Sequence, residues 1–301
     1  MKSQAMGLSD AIGLTIIHKT CKRHWPWGWL SLSWGNPLTQ LTPESDSLSA
    51  PWPDLVISCG RRSAPLALAI KKQNGGKTFC VHIQNPILNL KAFDLIVSPE
   101  HDHLKGSNII STKGAIHKVT SQKIKEGMIT HASLFQGLPR PYSTVLLGGN
   151  TNRYKMPRKA LEDLVRKILF IRNTTQGSVL VTPSFRTPFR DLLSNSLKDE
   201  PNIFLAKIED LNPYFAMLGM ADFLFVTDDS VNMVCEACVT GKPVYILPLM
   251  NHGTTKPKKF IERLVQEGTV RFFQKTIDTW TYTPFNDTAK VAALVREKMK
   301  L

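Results

Sequence analysis

The chain has 301 residues, 42% hydrophobic and 21% charged, enough for one large or two medium domains, each burying its own core. Its net charge of +14 is shared, residues 1–140 carrying 16 Lys+Arg against 8 Asp+Glu and the remainder 22 against 16. That excludes a basic nucleic-acid-binding tail and suits polyanionic partners such as nucleotide phosphates or anionic lipid. The apolar runs are strand-length, far short of the roughly 18–20 residues that cross a bilayer, and five scattered cysteines fit reduced thiols better than a disulfide framework.

Residues 2–14 form a plausible amphipathic helix, with Ala5, Leu8 and Ile12 on one face. No strand precedes it, so either the first sheet is one strand short or the true start lies upstream. "HWPWGWLSLSW" (24–34) holds four of the six tryptophans next to several cations. Such a segment packs as a hydrophobic flap or seats at an anionic membrane surface. No specific nucleic-acid partner is expected, because no nucleic-acid fold signature accompanies it.

From residue 53 onward, short apolar strands alternate with helical segments. "DLVISC" (54–59) precedes "APLALAIKKQ" (64–73), and "KTFCVHI" (77–83), "FDLIVS" (93–98) and "NIIST" (108–112) follow, then a helical stretch near 120–135. After "QGLPRPYS" (136–143) the alternation restarts with "TVLLGG" (144–149), a helix over 157–171, "SVLVTP" (178–183), a helix over 189–197, and "NIFLAK" (202–207). "FLFVTDDSVNMVCEACVTGKPVYILPL" (223–249) then reads strand, turn, short helix, strand, and a helix over 287–300 ends the chain. This alternation predicts parallel sheets covered on both faces, with ligands at the carboxyl ends of the strands. The Pro- and Gly-bearing segment 136–143 is the expected boundary between domains 1–140 and 141–301.

Three loops of the second half follow strands and carry ligand-type residues. Gly148, Gly149 and Asn150 follow the strand of 144–147; glycine there lets backbone come close to a phosphate or sugar. Ser184, Arg186 and Thr187 follow the next strand. Asp228, Asp229 and Ser230 precede a helix whose N–H groups and dipole form an anion site, and Glu236 lies two turns inside it. Two carboxylates beside a diphosphate repel it unless one points away. In the first half, Gly60, Arg61 and Arg62 lie between strand and helix, where a guanidinium fork suits phosphate or carboxylate. Gln84, Asn85 and Lys113 follow other strands. Glu100, His101, Asp102 and His117 are alternative general bases for an acceptor hydroxyl. Cys235-x-x-Cys238 lacks a second pair and reads as core, and no metal-ligand set is expected.

The segments "PDLVISCGRRSAPLALAIKK", "FDLIVSPEHD", "KGAIHKVT", "LLGGN" and "TDDSVNMVCEACVTGKPVYILPL" resemble the mitochondrial fission protein family, whose bacterial members are often labelled nucleoside-diphosphate-sugar epimerases. Members usually open with a strand and a Gly-containing turn, not present here, and Asn85 stands where Asp is usual. The epimerase label would call for a dinucleotide fingerprint and a Tyr-x-x-x-Lys pair, and neither occurs. The 223–249 pattern is similar to GT-B type glycosyltransferases. That resemblance implies two Rossmann-like domains facing a central cleft, the first lacking its first strand. It also implies a UDP-linked sugar donor and neither metal nor cofactor. Ser230, Val231 and Asn232 would meet the diphosphate and Glu236 the ribose. The expectation is a cytoplasmic protein, peripheral at the inner membrane, that transfers sugar to a membrane-associated or envelope acceptor. The alternative is a non-catalytic scaffold that binds a membrane or protein.

Overall fold

The computed structural model describes residues 2–25, 35–151, 154–207, 212–249 and 256–301, with backbone alone at 101, 256 and 257. Residues 26–34 of the Trp-rich segment 24–34 and the side chain of His101 lie outside the described residues. The chain divides into two compact units, Met1–Lys118 with Asn286–Leu301, and Val119–Phe285.

Unit 1 holds a four-stranded parallel sheet in the order β1 (Leu55–Cys59), β2 (Phe79–Ile83), β3 (Leu95–Pro99), β4 (Ile109–Thr112). The chain moves across it in one direction, so β1 stands at an edge. Helix α1 (Lys2–Ile12) and the last helix of the chain cover one face, where Leu8, Ile12, Val291 and Val295 meet Val81, Ile83, Leu95 and Val97. Helix α2 (Ala64–Gln73), entered through Pro65 in its first turn, covers the other with Ala64 and Ala67 against Cys80 and Ile96.

Unit 2 begins with α3 (Ser121–Thr130) and holds six parallel strands: β5 (Tyr142–Leu147), β6 (Ser178–Pro183), β7 (Ile203–Leu205), β8 (Phe223–Thr227), β9 (Val244–Leu247) and β10 (Arg271–Phe272). Their order is β10-β9-β8-β5-β6-β7. From β5 the chain moves outward through β6 and β7, then returns to build β8, β9 and β10 on the other side. The switch point therefore lies between β5 and β8, where doubly wound sheets open a crevice at their carboxyl ends. Both faces are covered, so β5 and β6 are buried throughout and read as continuous apolar runs. On one face α4 (Arg158–Thr175) lays Leu161, Leu164, Ile168 and Ile171 on Val145, Leu147, Val179 and Val181. On the other, α6 (Tyr214–Met220) packs Ala216 and Met217 against Tyr142 and Leu180. The remaining helices are α5 (Arg190–Leu197), α7 (Val231–Cys238) and α8 (Lys256–Gln266) in unit 2, and α9 (Asp287–Met299) in unit 1.

This division differs from the expected one at 140/141. Helix α3 belongs with unit 2 because it crosses α6 closely: a Cβ on Gly127 would press on Phe215 and Ala216, and one on Gly219 would meet Ile124 and Met128. Helix α9 belongs with unit 1, where the Asp287 carboxylate accepts the Gly114 N–H at 2.8 Å and Thr288 exchanges hydrogen bonds with the His117 backbone at 3.0 Å.

Candidate functional site

The carboxyl ends of β5, β6 and β8 lie side by side, with Leu147 opposite Pro183 and Leu146 opposite Val226. The loops that leave them are tied into one cluster. Asp229 is its centre: its side chain is fully buried and accepts the Gly149 N–H at 3.0 Å and the Thr227 hydroxyl at 2.7 Å. Arg186 Nη2 approaches the same carboxylate at 3.1 Å, while its Nη1 donates to the Asn150 carbonyl at 3.3 Å. The Asn150 N–H donates to the Arg186 carbonyl at 2.9 Å, and the Thr187 hydroxyl donates to the Gly148 carbonyl at 2.6 Å. Ser184 closes its own loop, its N–H donating to the Leu147 carbonyl and to Thr187 Oγ1, both at 2.9 Å. The structure therefore brings Gly148, Gly149, Asn150, Ser184, Arg186, Thr187 and Asp229 together at the switch point.

Two of these residues have a different immediate role from the one their position predicts. Each glycine has a steric reason within the fold. A Cβ at Gly148 would run into the Asp229 carboxylate, and one at Gly149 into the Arg186–Thr187 backbone. Both are small because the loops touch. The two acids also face inward: Asp228 accepts the Leu249 N–H at 3.1 Å, and Asp229 is held as above. The repulsion that two carboxylates would exert on a diphosphate is thereby relieved, Asp229 being matched by Arg186.

Outside the cluster, α7 starts at Ser230, whose hydroxyl accepts the Met233 N–H at 3.5 Å. Ser230, Val231 and Asn232 are half-buried, so the first turn of α7 reaches the surface directly after Asp229, the carboxylate that Arg186 approaches. The Arg186 side chain remains 40% exposed. Phe185 beside it is 82% exposed, a large aromatic face at the end of β6 that sequence reasoning passed over. The signal was present, an aromatic between a serine and an arginine in a post-strand loop, but an apolar residue there reads as buried until exposure is known. Glu236 is 7% exposed, and its Oε2 accepts the Tyr214 hydroxyl at 2.5 Å. Burial first, then the Glu236 charge, pushes the Tyr214 phenol well above its ordinary range. This pairing ties α7 to α6, and Tyr214 too was missed. A cavity of about 260 Å³ adjoins Asp228, lined by Pro248, Leu249, Lys258, Ile261 and Phe272.

In unit 1 the candidates stand at the carboxyl ends of β1 to β4. Gly60 adopts φ +81°, and Arg61 and Arg62 are exposed in the turn before α2. Gln84, at φ +80°, donates through Nε2 to Gln4 Oε1 at 2.9 Å, and Asn85 Oδ1 accepts the Ile87 N–H at 2.9 Å. Glu100 is exposed on the turn after β3, Asp102 accepts the Ser98 hydroxyl at 3.3 Å, and Lys113 is half-buried. His117 is 1% exposed. As placed, it has no open face for an acceptor hydroxyl. Among the described residues no cluster of three or more His, Cys, Asp or Glu is arranged to hold a metal, and Cys235 and Cys238 are both buried. No described helix is long and apolar enough to cross a membrane.

Two α/β units with parallel sheets, together with the likeness to solved structures, place the chain in the GT-B class of fold. The UDP-GlcNAc 2-epimerase of Methanocaldococcus jannaschii superposes with a TM-score of 0.56 at 16% identity, covering 83% of this chain and 77% of that one. The same enzyme in complex with UDP-GlcNAc and UDP gives 0.52 at 15% identity, covering 83% and 76%. The Mitochondrial fission ELM1 family pattern matches residues 1–299, so the chain belongs to that family. The Mitochondrial fission protein ELM1 of Arabidopsis thaliana is 28% identical over 275 residues, 82% of this chain. This chain spans 64% of that relative's length.

Proposed function

We propose that this chain binds a nucleotide diphosphate sugar, UDP-linked, at the switch point of unit 2, as the donor half of a glycosyltransferase-like protein. One observation carries the reading. The three loops beside the switch point are locked around Asp229, which pairs with the partly exposed Arg186 guanidinium and directly precedes the N-cap of α7. A guanidinium beside a helix N-terminus matches a diphosphate in charge and geometry. Phe185 supplies an exposed ring for the base. Ser230, Val231 and Asn232 would meet the phosphates, while Glu236, buried and holding the Tyr214 hydroxyl, would meet the ribose only if that bond opened. The GT-B neighbour solved with UDP-GlcNAc and UDP supports this class of ligand.

Transfer breaks the bond from the sugar's anomeric carbon to UDP, forms one to an acceptor oxygen, and moves the acceptor proton to a base. Of the proposed bases in unit 1, Glu100 is exposed and Asp102 half-buried on the turn after β3, and Arg61 and Arg62, the proposed anion contacts, are exposed. The inward bonding of the unit 2 cluster favours a second reading, a scaffold of this fold that binds no nucleotide, since the three loops bond to one another through their own side chains.

Thermal unfolding separates the two. Millimolar UDP or UDP-GlcNAc should raise the melting temperature by several degrees, as RT ln(1 + [L]/Kd) requires at roughly 100-fold excess over Kd. Arg186→Ala should weaken binding on the order of tenfold or more. No shift with any UDP, GDP or derived sugar would leave the scaffold standing.

A further inference from the structure

Helix α7 carries Asn232 and Glu236 four residues apart, so both lie on one of its faces, about 6 Å apart along the axis. Asn232 is half-buried, in the turn that reaches the surface, whereas Glu236 is 7% exposed. The deeper position is taken by Tyr214, whose hydroxyl donates to Glu236 Oε2 at 2.5 Å. Tyr214 is only half-buried, so the residue that occupies Glu236 is more open to solvent than Glu236 itself.

Tyr214 opens α6, and the anchors of that helix lie further along. Ala216 and Met217 belong to the core, and the Met217 carbonyl accepts the Thr144 hydroxyl at 2.9 Å. The Lys242 ammonium donates to the carbonyls of Leu218 and Gly219, and Arg140 Nη2 to that of Met220 at 3.1 Å. The start of α6, by contrast, has no side-chain cap. A change of rotamer at Tyr214 therefore leaves every one of these anchors in place.

A buried carboxylate must be matched by donors, because it accepts hydrogen bonds and gives none. A phenol offers it one donor; a ribose diol offers two, on adjacent carbons. Exchanging the phenol for the diol keeps the acid satisfied, adds a hydrogen bond and returns the tyrosine's polar tip to water.

We propose that the Tyr214 hydroxyl stands on Glu236 in place of a ribose diol and yields to it, so that Tyr214 sets how tightly the chain holds a ribonucleotide. This rests on the nucleotide reading of unit 2 and adds to it the group that the ligand displaces. The bond makes the binding-competent state a minor one: a site open about one tenth of the time binds about tenfold more weakly than its open form. Arg186 and the first turn of α7 take no part in it, so the penalty falls on the ribose and not on the diphosphate.

Calorimetric titration of UDP and of 2′,3′-dideoxy-UDP into wild type and Tyr214→Phe tests this. The variant keeps the ring and deletes the donor. It should bind UDP several-fold to about tenfold more tightly than wild type, with no gain for 2′,3′-dideoxy-UDP. A tie that only joins α6 to α7 predicts no such gain. If UDP binds wild type, and Tyr214→Phe binds it equally or more weakly, the inference is overturned and the nucleotide reading stands. A gain shared by 2′,3′-dideoxy-UDP also overturns it, since ribose is then not what Tyr214 excludes. UDP binding to neither protein removes both. Should Tyr214→Phe fail to fold, wild type labelled with carbon-13 at the tyrosine Cζ decides. UDP must then move the Tyr214 resonance toward that of a solvent-exposed tyrosine, and 2′,3′-dideoxy-UDP must not; a resonance unmoved at saturating UDP overturns the inference.

Discussion

His82 sits on β2 with its side chain wholly buried and its ring 5.2 Å from that of Phe93. Nδ1 lies 2.7 Å from Ser58 Oγ, and Nε2 has no partner among the described residues. With the Ser58 hydroxyl turned toward the Val81 carbonyl, the proton is assigned to Nδ1, leaving Nε2 a bare acceptor. Burial depresses its pKa to about 4. An unfolded imidazole titrates near 6.5, so between pH 6.5 and 4 the unfolded chain binds a proton that the folded one refuses. Stability is thus fully present above pH 6.5 and falls by up to about 3 kcal/mol as pH drops to 4. Urea unfolding across this range should show a steeper loss for wild type than for His82→Leu; parallel curves would refute the assignment. At this scale the sequence was least readable. Residue type at His82 or His117 gives no direction, and His117 looked like a base only because its burial was not visible.

At the scale of elements, the sequence was far more legible. Apolar runs of four to six residues bounded by Gly, Pro and Ser marked the strands. The three loops after 147, 183 and 227 were expected to meet, and they do. What strand order alone could not show is that they meet through each other. Asp229 gives up exposure to satisfy the Gly149 N–H and the Thr227 hydroxyl, and its neighbours are glycines because the space is filled. Asp229→Ala strands both donors and leaves Arg186 without its carboxylate. It should cost about 2–6 kcal/mol in denaturant unfolding, since each buried polar group left unsatisfied costs about 1–3 kcal/mol. A loss below about 1 kcal/mol would show that the cluster is not what holds the loops.

For the whole molecule, two parallel α/β units were readable from alternation, but membership was not. An amphipathic helix carries no mark of which sheet it will cover. Helix α9 returns to unit 1 through Asp287, Thr288 and Arg296, the last donating to the Ile12 carbonyl at 2.6 Å. Helix α3 goes forward to α6 through two glycine contacts. The central claim is that nucleotide sugar lodges where unit 2 reverses its strand order. Hydrogen exchange read by mass spectrometry, with and without saturating UDP-GlcNAc, tests it most directly. The account predicts slower exchange in 148–151, 184–187 and 230–233, with β6 and β7 unchanged. Protection confined to other segments, or none at saturation, would contradict it.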